Sequence, residues 1–218
     1  MAALAPARES AWDCATGSGQ AALGLARHFA HVEATDASAQ QIANVVPAAN
    51  VTYSVQPAEA TSFAAASFDA VCVAQALHWF DLDRFYAEVR RVLRPGGILL
   101  VTAYGWSSVT PEVDEVMKRD VLPPIAPLWP PQNQLIMRGY RDVPFPFERI
   151  EFPPMDIEVR WTLAQYLDYI GTWTATRRMV EKDPVFLDRV QPRLRAAWGE
   201  ERPRTVTMPL VVLCGRHA

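Results

Sequence analysis

The fold of this chain is decided by one stretch near its start, Trp12-Asp13-Cys14-Ala15-Thr16-Gly17-Ser18-Gly19-Gln20. The apolar residues from Ala11 to Ala15 predict a strand, and the apolar spacing of Gln20–Ala30 predicts a helix. Between them, Gly17 and Gly19 allow the backbone to pass close to a ligand, because glycine lacks a side chain and tolerates left-handed dihedral angles. A strand, a glycine-rich turn and a helix in this order are typical of the nucleotide-binding edge of an open α/β sheet.

Strands and helices continue to alternate after this start. We predict strands at 31–35, 51–55, 68–73 and 98–103, and helices at 38–45 and 82–93. The run Phe68–Val73 is apolar except for Asp69, which is typical of a parallel strand covered on both faces. Alternation at this spacing implies right-handed βαβ units and a doubly wound, mostly parallel sheet.

The pattern changes after Tyr104. Residues 123–131 contain five prolines and predict an irregular loop. Beyond it we predict a short strand at 147–152, helices at 162–179 and 184–198, and a last strand at 205–214. We therefore expect one domain, 1–218, in which a helical cap (105–204) is inserted between a cofactor-binding core (11–104) and the last strand (205–215).

Composition excludes several classes of partner. The chain has 218 residues, a formal net charge of -3 and a sequence pI of about 5.8, so it lacks the basic surface of a nucleic-acid binder. No apolar run reaches the roughly 20 residues that span a bilayer, and we expect no membrane partner. Cys14, Cys72 and Cys214 lie in apolar stretches and predict small buried side chains in a reducing cytoplasm. The histidines and cysteines show no metal-ligand spacing, so we expect no metal.

The charge of Asp13 favours one class of ligand. Residues Gly17 to Ala22 also fit the dinucleotide fingerprint, in which a pyrophosphate lies at the glycine turn. A carboxylate at the end of the first strand would repel that pyrophosphate, whereas S-adenosyl-L-methionine carries an ammonium and a sulfonium and no phosphate. Asp13 therefore favours S-adenosyl-L-methionine, and an NAD(P)-dependent oxidoreductase remains the alternative.

Acidic residues also follow the second and third strands. Asp36 lies where a carboxylate accepts hydrogen bonds from both hydroxyls of a ribose, and Glu59 lies where a side chain would border an adenine. Neither residue separates the two ligands, because both ligands contain an adenosine. Capping of the next helix is an alternative role for Asp36, and Glu59 is equally explained as a solvated loop charge.

Candidate residues for contacting the methyl acceptor follow the fourth strand and continue into the cap. His78 is a candidate general base for a phenol or amine acceptor, with a hydrogen-bonded structural histidine as the alternative. Aromatic faces attract a sulfonium by about 0.5–2 kcal/mol each, and the candidates, which core packing would explain equally well, are Trp79, Tyr104, Trp106 and Trp173. An acidic acceptor would suit the arginines of the cap, which are Arg138, Arg141, Arg177 and Arg178.

Several of these segments together resemble the class I S-adenosylmethionine-dependent methyltransferases. Asp13–Gln20 resembles their first motif, usually Asp-x-Gly-x-Gly-x-Gly, and Ala34-Thr35-Asp36-Ala37-Ser38 resembles their second. Phe68-Asp69-Ala70-Val71 and Arg94-Pro95-Gly96-Gly97 are similar to their fourth-strand and fifth-strand signatures. The segment Ala74-Gln75-Ala76-Leu77-His78-Trp79-Phe80-Asp81 is similar to the trans-aconitate methyltransferase-like subgroup. The resemblance runs from about Ala11 to Tyr104.

The resemblance implies a Rossmann-like sheet of about seven strands and methyl transfer to a small molecule, with O-methylation of a carboxylate or hydroxyl expected. It implies that the cofactor contacts are Asp13, Ala15, Gly17, Gly19, Gln20, Asp36, Ala37, Ala58, Glu59, Ala74 and Gln75. The implied substrate contacts are His78, Trp79, Tyr104, Trp106 and Trp173.

Two departures from the family pattern modify this expectation. Ala15 stands where the first motif usually has its first glycine, so we expect a tighter approach to the carboxylate end of the cofactor. Twelve residues precede Asp13, whereas relatives usually carry additional N-terminal helices, so we expect a more open site. A cofactor-binding module without turnover is therefore a third hypothesis.

Overall fold

Eight strands and nine α-helices make up the chain in the computed structural model, which describes residues 1–218. The strands are β1 (Ser10–Cys14), β2 (His31–Asp36), β3 (Val51–Val55), β4 (Phe68–Ala74), β5 (Leu93–Tyr104), β6 (Glu148–Arg149), β7 (Met155–Trp161) and β8 (Arg204–Arg216). The helices are α1 (Gln20–Leu25), α2 (Ala39–Ile42), α3 (Leu82–Val92), α4 (Pro111–Val116), α5 (Leu122–Ile125), α6 (Asn133–Met137), α7 (Leu163–Thr172), α8 (Thr174–Lys182) and α9 (Phe186–Trp198). None of the helices combines the length and apolarity that crossing a lipid bilayer requires.

The strands pair in the order β3-β2-β1-β4-β5-β8-β6, and β7 pairs with β8 beside this path. The pairs β1–β2, β1–β4, β2–β3 and β4–β5 are parallel, whereas β6 and β7 run antiparallel to β8. The predicted α/β, mostly parallel sheet is confirmed, with eight strands rather than about seven. The order reverses between β1 and β4, which is the place where open α/β sheets form a ligand crevice.

Burial explains why β1 and β4 lie at the centre. Trp12 is fully buried, and its indole nitrogen donates to Oγ1 of Thr35 in the neighbouring strand at 2.9 Å. Residues 68–73 of β4 are buried as predicted, including the polar Asp69. Oδ2 of Asp69 accepts hydrogen bonds from the amides of Glu9 and Ser10, and its Oδ1 accepts one from Arg94 at 2.7 Å. The carboxylate is thus fully paired, which is the condition for burying a charge.

The chain divides into two compact units. The first contains Met1–Ala103, Arg141–Pro153 and Val211–Ala218, and the second contains Tyr104–Tyr140 and Pro154–Leu210. The expected cap at 105–204 is therefore not one continuous segment, because 141–153 returns to the first unit, where β6 pairs with the end of β8.

The second unit has more regular structure than the sequence indicated. The proline-rich stretch contains α5 and a 3₁₀ turn at Ala126–Leu128, so the predicted irregular loop is wrong there. Proline is tolerated in the first turn of a helix, where its missing N–H has no acceptor to lose, and the buried Ile125 anchors α5 in the core. The predicted helix at 162–179 is two helices, because Trp173 has an extended backbone (φ -64, ψ 134) between α7 and α8. The strand β7 was missed.

Candidate functional site

A cavity of about 550 Å³ lies at the carboxyl ends of β1, β2, β3 and β4 in the first unit. Its volume is within the roughly 300–1,000 Å³ usual for small-molecule sites. It is lined by Ala15, Thr16, Gly17, Gln20, Asp36, Ala37, Ser38, Gln41, Gln56, Ala58, Glu59, Ala74, Gln75, Ala76, Trp79 and Phe80. No Lys, Arg or His side chain is part of this lining, and two carboxylates are.

The turn between β1 and α1 forms one side of the cavity in a left-handed backbone conformation. Ala15, Gly17 and Gly19 all have positive φ, at 57°, 57° and 92°. A Cβ on Gly17 would meet nothing within 4 Å, whereas a Cβ on Gly19 would lie 2.9 Å from the hydroxyl of Tyr53. Gly17 therefore faces open space at the cavity, while Gly19, which is absent from its lining, lies against the side chain of Tyr53, which would have to shift to admit a Cβ.

Asp36 joins this turn to the end of β2. Its Oδ2 accepts a hydrogen bond from the amide of Gly17 at 2.9 Å, and its Oδ1 accepts one from the amide of Ser38 at 2.8 Å. Each carboxylate oxygen can accept about two hydrogen bonds, so each retains capacity for one more. Asp36 is thus a fixed acceptor pair on the cavity wall, and Ser38 rather than Asp36 caps α2.

Asp13 is buried behind the turn and does not line the cavity. The side chain is 1% exposed, and its Oδ2 accepts a hydrogen bond from Oγ1 of Thr16 at 2.5 Å. Its Oδ1 is buried without a hydrogen-bond partner. Desolvation by burial raises the pKa of Asp13 to about 6, although the Thr16 hydroxyl and the Ala22 amide lower it in part. The position of Asp13 near the end of the first strand does not bring it to the cavity, because β1 is covered on both faces.

The connection after β3 forms another part of the cavity wall. Ala58 and Glu59 both line it, and Oε1 of Glu59 accepts a hydrogen bond from the amide of Asp81 at 3.1 Å. Oε1 of Gln56 accepts hydrogen bonds from the amide and the hydroxyl of Ser62. The wall is therefore a structured loop, and Glu59 is not merely a solvated charge.

In the segment after β4, Trp79 lines the cavity and His78 does not. Gln75 has a φ of 58°, a second strained non-glycine residue at the cavity. His78 is buried, and desolvation lowers its pKa to about 4, so its imidazole is neutral at pH 7. Trp79 is 52% exposed and lines the cavity with Asp36 and Glu59. Its ring is therefore available on the same surface as the predicted cofactor contacts.

The second unit gathers the remaining aromatic candidates. The ring centroid of Trp106 lies 5.5 Å from that of Trp173 and 5.9 Å from that of Trp129. Burial raises the pKa of Tyr104. Trp129 was not singled out from the sequence, because nothing in its proline-rich neighbourhood indicated a packed cluster.

Comparison with known proteins identifies the family. The methyltransferase-domain family matches residues 12–101. A Dictyostelium discoideum protein assigned as a methyltransferase is 32% identical over 217 residues, which cover 96% of this chain and 82% of that protein. The chain is a class I S-adenosylmethionine-dependent methyltransferase.

Two further proteins extend the comparison. A solved structure from Anaeromyxobacter dehalogenans, assigned as a type II methyltransferase, has a TM-score of 0.91 and 46% identity to this methyltransferase, covering 99% of this chain and 92% of that one. An uncharacterized methyltransferase of Mycobacterium tuberculosis is 30% identical over 161 residues, which cover 69% of this chain and 58% of that protein. These comparisons do not narrow the family to the trans-aconitate methyltransferase-like subgroup.

The methyltransferase brings most of the predicted cofactor residues to one cavity. Those on its wall are Ala15, Gly17, Gln20, Asp36, Ala37, Ala58, Glu59, Ala74 and Gln75. Lining residues that sequence analysis missed are Thr16, Ser38, Gln41, Gln56, Ala76 and Phe80. Most of these directly follow strand ends, a signal that could have found them, whereas Gln41 reaches the cavity from α2. No group of three or more His, Cys, Asp or Glu side chains is placed to hold a metal ion.

Proposed function

We propose that this methyltransferase binds S-adenosyl-L-methionine in the cavity at the ends of β1 to β4 and methylates a small molecule, on the oxygen of a carboxylate or hydroxyl. The observation that carries the cofactor site is the charge of its wall, where Asp36 and Glu59 occur without any cationic side chain. A negative wall attracts an ammonium and a sulfonium and disfavours a pyrophosphate.

The residues present fit this cofactor. The buried Oδ1 of Asp13 lacks a hydrogen-bond partner, and such groups are rare in folded proteins unless a ligand or water completes them. Asp13 does not line the cavity, so its proposed role at the methionine end is electrostatic attraction of the ammonium from behind the glycine turn rather than direct contact. Asp36, with one free acceptor site on each oxygen, is the proposed partner of the ribose hydroxyls.

The remaining cavity residues supply shape rather than charge. Ala37 and Ala58 have small side chains that leave room for a flat ring, and Ala58 is itself buried. Trp79 offers an aromatic face, which is worth about 0.5–2 kcal/mol when a cation lies over it. When bound, the cofactor supplies a methyl group on a positively charged sulfur that is already a good leaving group. The protein therefore acts mainly by orienting the reactants and keeping water away.

The low pKa of His78 favours a carboxylate as the acceptor. A base with a pKa of about 4 accepts a proton poorly at pH 7, so it would activate a phenol or amine weakly. A carboxylate is ionised without help.

Tyr104, Trp106 and Trp173, which belong to the second unit, remain the proposed contacts for the methyl acceptor. The pI of about 5.8 supports the expectation that the protein has no nucleic-acid partner. The three buried free cysteines support the expectation that it works in a reducing cytoplasm.

Calorimetric titration with S-adenosylhomocysteine and, separately, with NADH tests the cofactor. We expect S-adenosylhomocysteine to bind and NADH to give no heat of binding. Binding of NADH without S-adenosylhomocysteine would overturn the proposal and favour an oxidoreductase.

Turnover is tested with cofactor that carries an isotopically labelled methyl group and a panel of carboxylic acids, phenols and amines. We expect label in the acids first, and loss of labelling in an Asp36→Ala variant. Tight S-adenosylhomocysteine binding without labelling of any acceptor class would favour the module without turnover.

A further inference from the structure

The cavity wall after β3 is held from behind by a buried carboxylate on α3. Oε1 of Glu88 accepts hydrogen bonds from the amide of Thr61 at 2.8 Å and from its hydroxyl at 2.5 Å. Glu88 is 7% exposed. Neither Glu88 nor Thr61 lines the cavity, so both act at one remove from any ligand.

Arg91 completes this attachment. It donates to Oε2 of Glu88 from Nε at 2.8 Å and to Oε1 from Nη2 at 2.6 Å, and its Nη1 donates to the carbonyl of Phe63 at 2.7 Å. The Arg91 guanidinium and the Thr61 donors lower the pKa of Glu88 to about 2. The pair therefore holds two successive points of the loop, Thr61 and Phe63.

The N-terminal end of α3 also holds the loop, at Glu59. The amide of Asp81, the N-cap of α3, donates to Glu59. Between β3 and β4 no helix or strand forms. The amide of Gln56 donates to the carbonyl of Asp36 at 3.1 Å, and beyond Gln56 the loop is attached by these side-chain contacts. A loop that lacks regular backbone hydrogen bonding is ordered mainly by such side-chain contacts. If the loop is not ordered before the ligand binds, the free-energy cost of ordering it weakens the affinity.

We propose that Glu88 and Arg91 are positioning residues that set the affinity for the cofactor by holding the wall formed by Gln56, Ala58 and Glu59. The inference rests on the proposed function of that cavity. It assigns the two residues to cofactor binding, although neither touches the ligand.

The chain contains a matched control for this pair. Asp69 is a buried carboxylate with an arginine, Arg94, and two further donors, the amides of Glu9 and Ser10. None of these four residues lines the cavity. Glu88→Gln and Asp69→Asn therefore remove the same charge from similar surroundings, but only Glu88 holds a cavity wall.

Four measurements test the proposal on the full chain: stability in urea, amide hydrogen exchange of residues 56–63 without ligand, titration with S-adenosylhomocysteine, and turnover. We expect both variants to lose stability. Only Glu88→Gln should exchange faster over 56–63 and bind S-adenosylhomocysteine about tenfold more weakly, which corresponds to about 1.4 kcal/mol. In turnover, its KM for the cofactor should rise while kcat at saturation is unchanged.

A second pair of variants covers the case in which Glu88→Gln fails to fold. Thr61→Val removes only the hydroxyl donor, and Thr61→Ser retains it, so weaker binding should appear in the first and be absent from the second. Wild-type affinity in both Glu88→Gln and Thr61→Val would overturn the inference, as would equal losses in Glu88→Gln and Asp69→Asn. If the unmodified chain does not bind S-adenosylhomocysteine, the proposed function itself fails, and the inference fails with it.

Discussion

The amide of Gly17 donates a 2.9 Å hydrogen bond to Asp36, which joins the glycine turn after β1 to the end of β2. One carboxylate thus shapes the turn and presents acceptors to the cavity. Asp36→Ala should weaken S-adenosylhomocysteine binding by about 1–3 kcal/mol, because a ribose hydroxyl and the Gly17 amide lose their acceptor. Calorimetric titration measures this loss. Glu33→Ala is the control, since Glu33 belongs to the same strand but pairs with His31 outside the cavity, and an unchanged affinity for Asp36→Ala would remove Asp36 from the site.

The two glycines of the turn should respond differently to alanine. Gly17→Ala should cost about 1–2 kcal/mol of stability through its left-handed backbone alone, because its Cβ would meet open space. Gly19→Ala should cost about 1–3 kcal/mol more, since its Cβ would also approach the Tyr53 hydroxyl at 2.9 Å. Urea unfolding distinguishes the two. Tyr53→Phe should recover part of the Gly19→Ala loss, and equal losses at both glycines would contradict this geometry.

Ala15 carries backbone strain that a glycine would release. Its φ of 57° costs roughly 1–2 kcal/mol in an L-residue, which exceeds the roughly 0.5–1 kcal/mol entropic cost of introducing glycine. Ala15→Gly should therefore raise the free energy of unfolding slightly, by about 0.5–1 kcal/mol. The control is Ala21→Gly in α1, which should lower it. A destabilised Ala15→Gly variant would show that the Cβ of Ala15 makes packing contacts that outweigh the strain.

Burial of Asp13 should make stability without ligand fall as pH rises. Its folded pKa of about 6 lies above the reference value of 3.8, so the protonated form is favoured by folding. That contribution is complete below pH 4 and is lost as pH rises through 6, by about 3 kcal/mol for a shift of about two units. Asp13→Asn should flatten this slope in urea titrations between pH 4 and 7. An identical slope in the variant would mean that Asp13 is not the titrating group.

Cofactor binding should favour the ionised form of Asp13 over the protonated form that burial favours. An ammonium in the cavity would favour the ionised form of Asp13 from across the glycine turn, so binding below pH 6 should release a proton. We expect the Kd for S-adenosylhomocysteine to rise by about tenfold per pH unit below 6 and to be constant above it. Calorimetry in buffers of different ionisation enthalpy counts the released proton. No proton release at pH 5 would place the ammonium elsewhere.

His78 should act on acid stability rather than on turnover. Desolvation lowers its pKa to about 4 from 6.5, so its contribution to stability is present above pH 6.5 and is lost as pH falls through 6.5 towards 4. His78→Gln should reduce acid sensitivity in that range. In turnover at saturating cofactor, kcat should not show an ionisation with a pKa near 6.5. Such an ionisation, abolished in His78→Gln, would restore His78 as the general base.

Local signals predicted the order of the elements in the first 104 residues but not all of their bounds, since α1 ends at Leu25, α2 ends at Ile42 and β5 begins at Leu93. The predicted bounds of β2 (31–35), β3 (51–55) and α3 (82–93) each agree with the structure to within one residue. Since the carboxyl ends of parallel strands share one edge of a sheet, the residues just after each strand were expected to meet, and nine of the eleven predicted cofactor contacts lie on one cavity. Gly19 and Asp13 do not lie on this cavity. Gly19 lies against Tyr53 and Asp13 is buried in β1, and both outcomes depend on residues distant in sequence.

Local signals failed where packing overrides propensity. The prolines before Ile125 indicated a loop, yet burial of that side chain stabilises α5. The helical spacing through Trp173 did not reveal the break between α7 and α8. Stability in such segments comes from long-range burial, which no window of sequence contains.

The sequence by itself determined the parallel sheet, the glycine turn and the carboxylate at Asp36, because each follows from residues adjacent in the chain. Only the tertiary structure decided that Asp13 is buried with a raised pKa, that His78 is neutral and that Glu88 supports the cavity wall after β3. Burial and side-chain hydrogen bonds depend on which distant segments pack together, and that is settled only when the chain has folded.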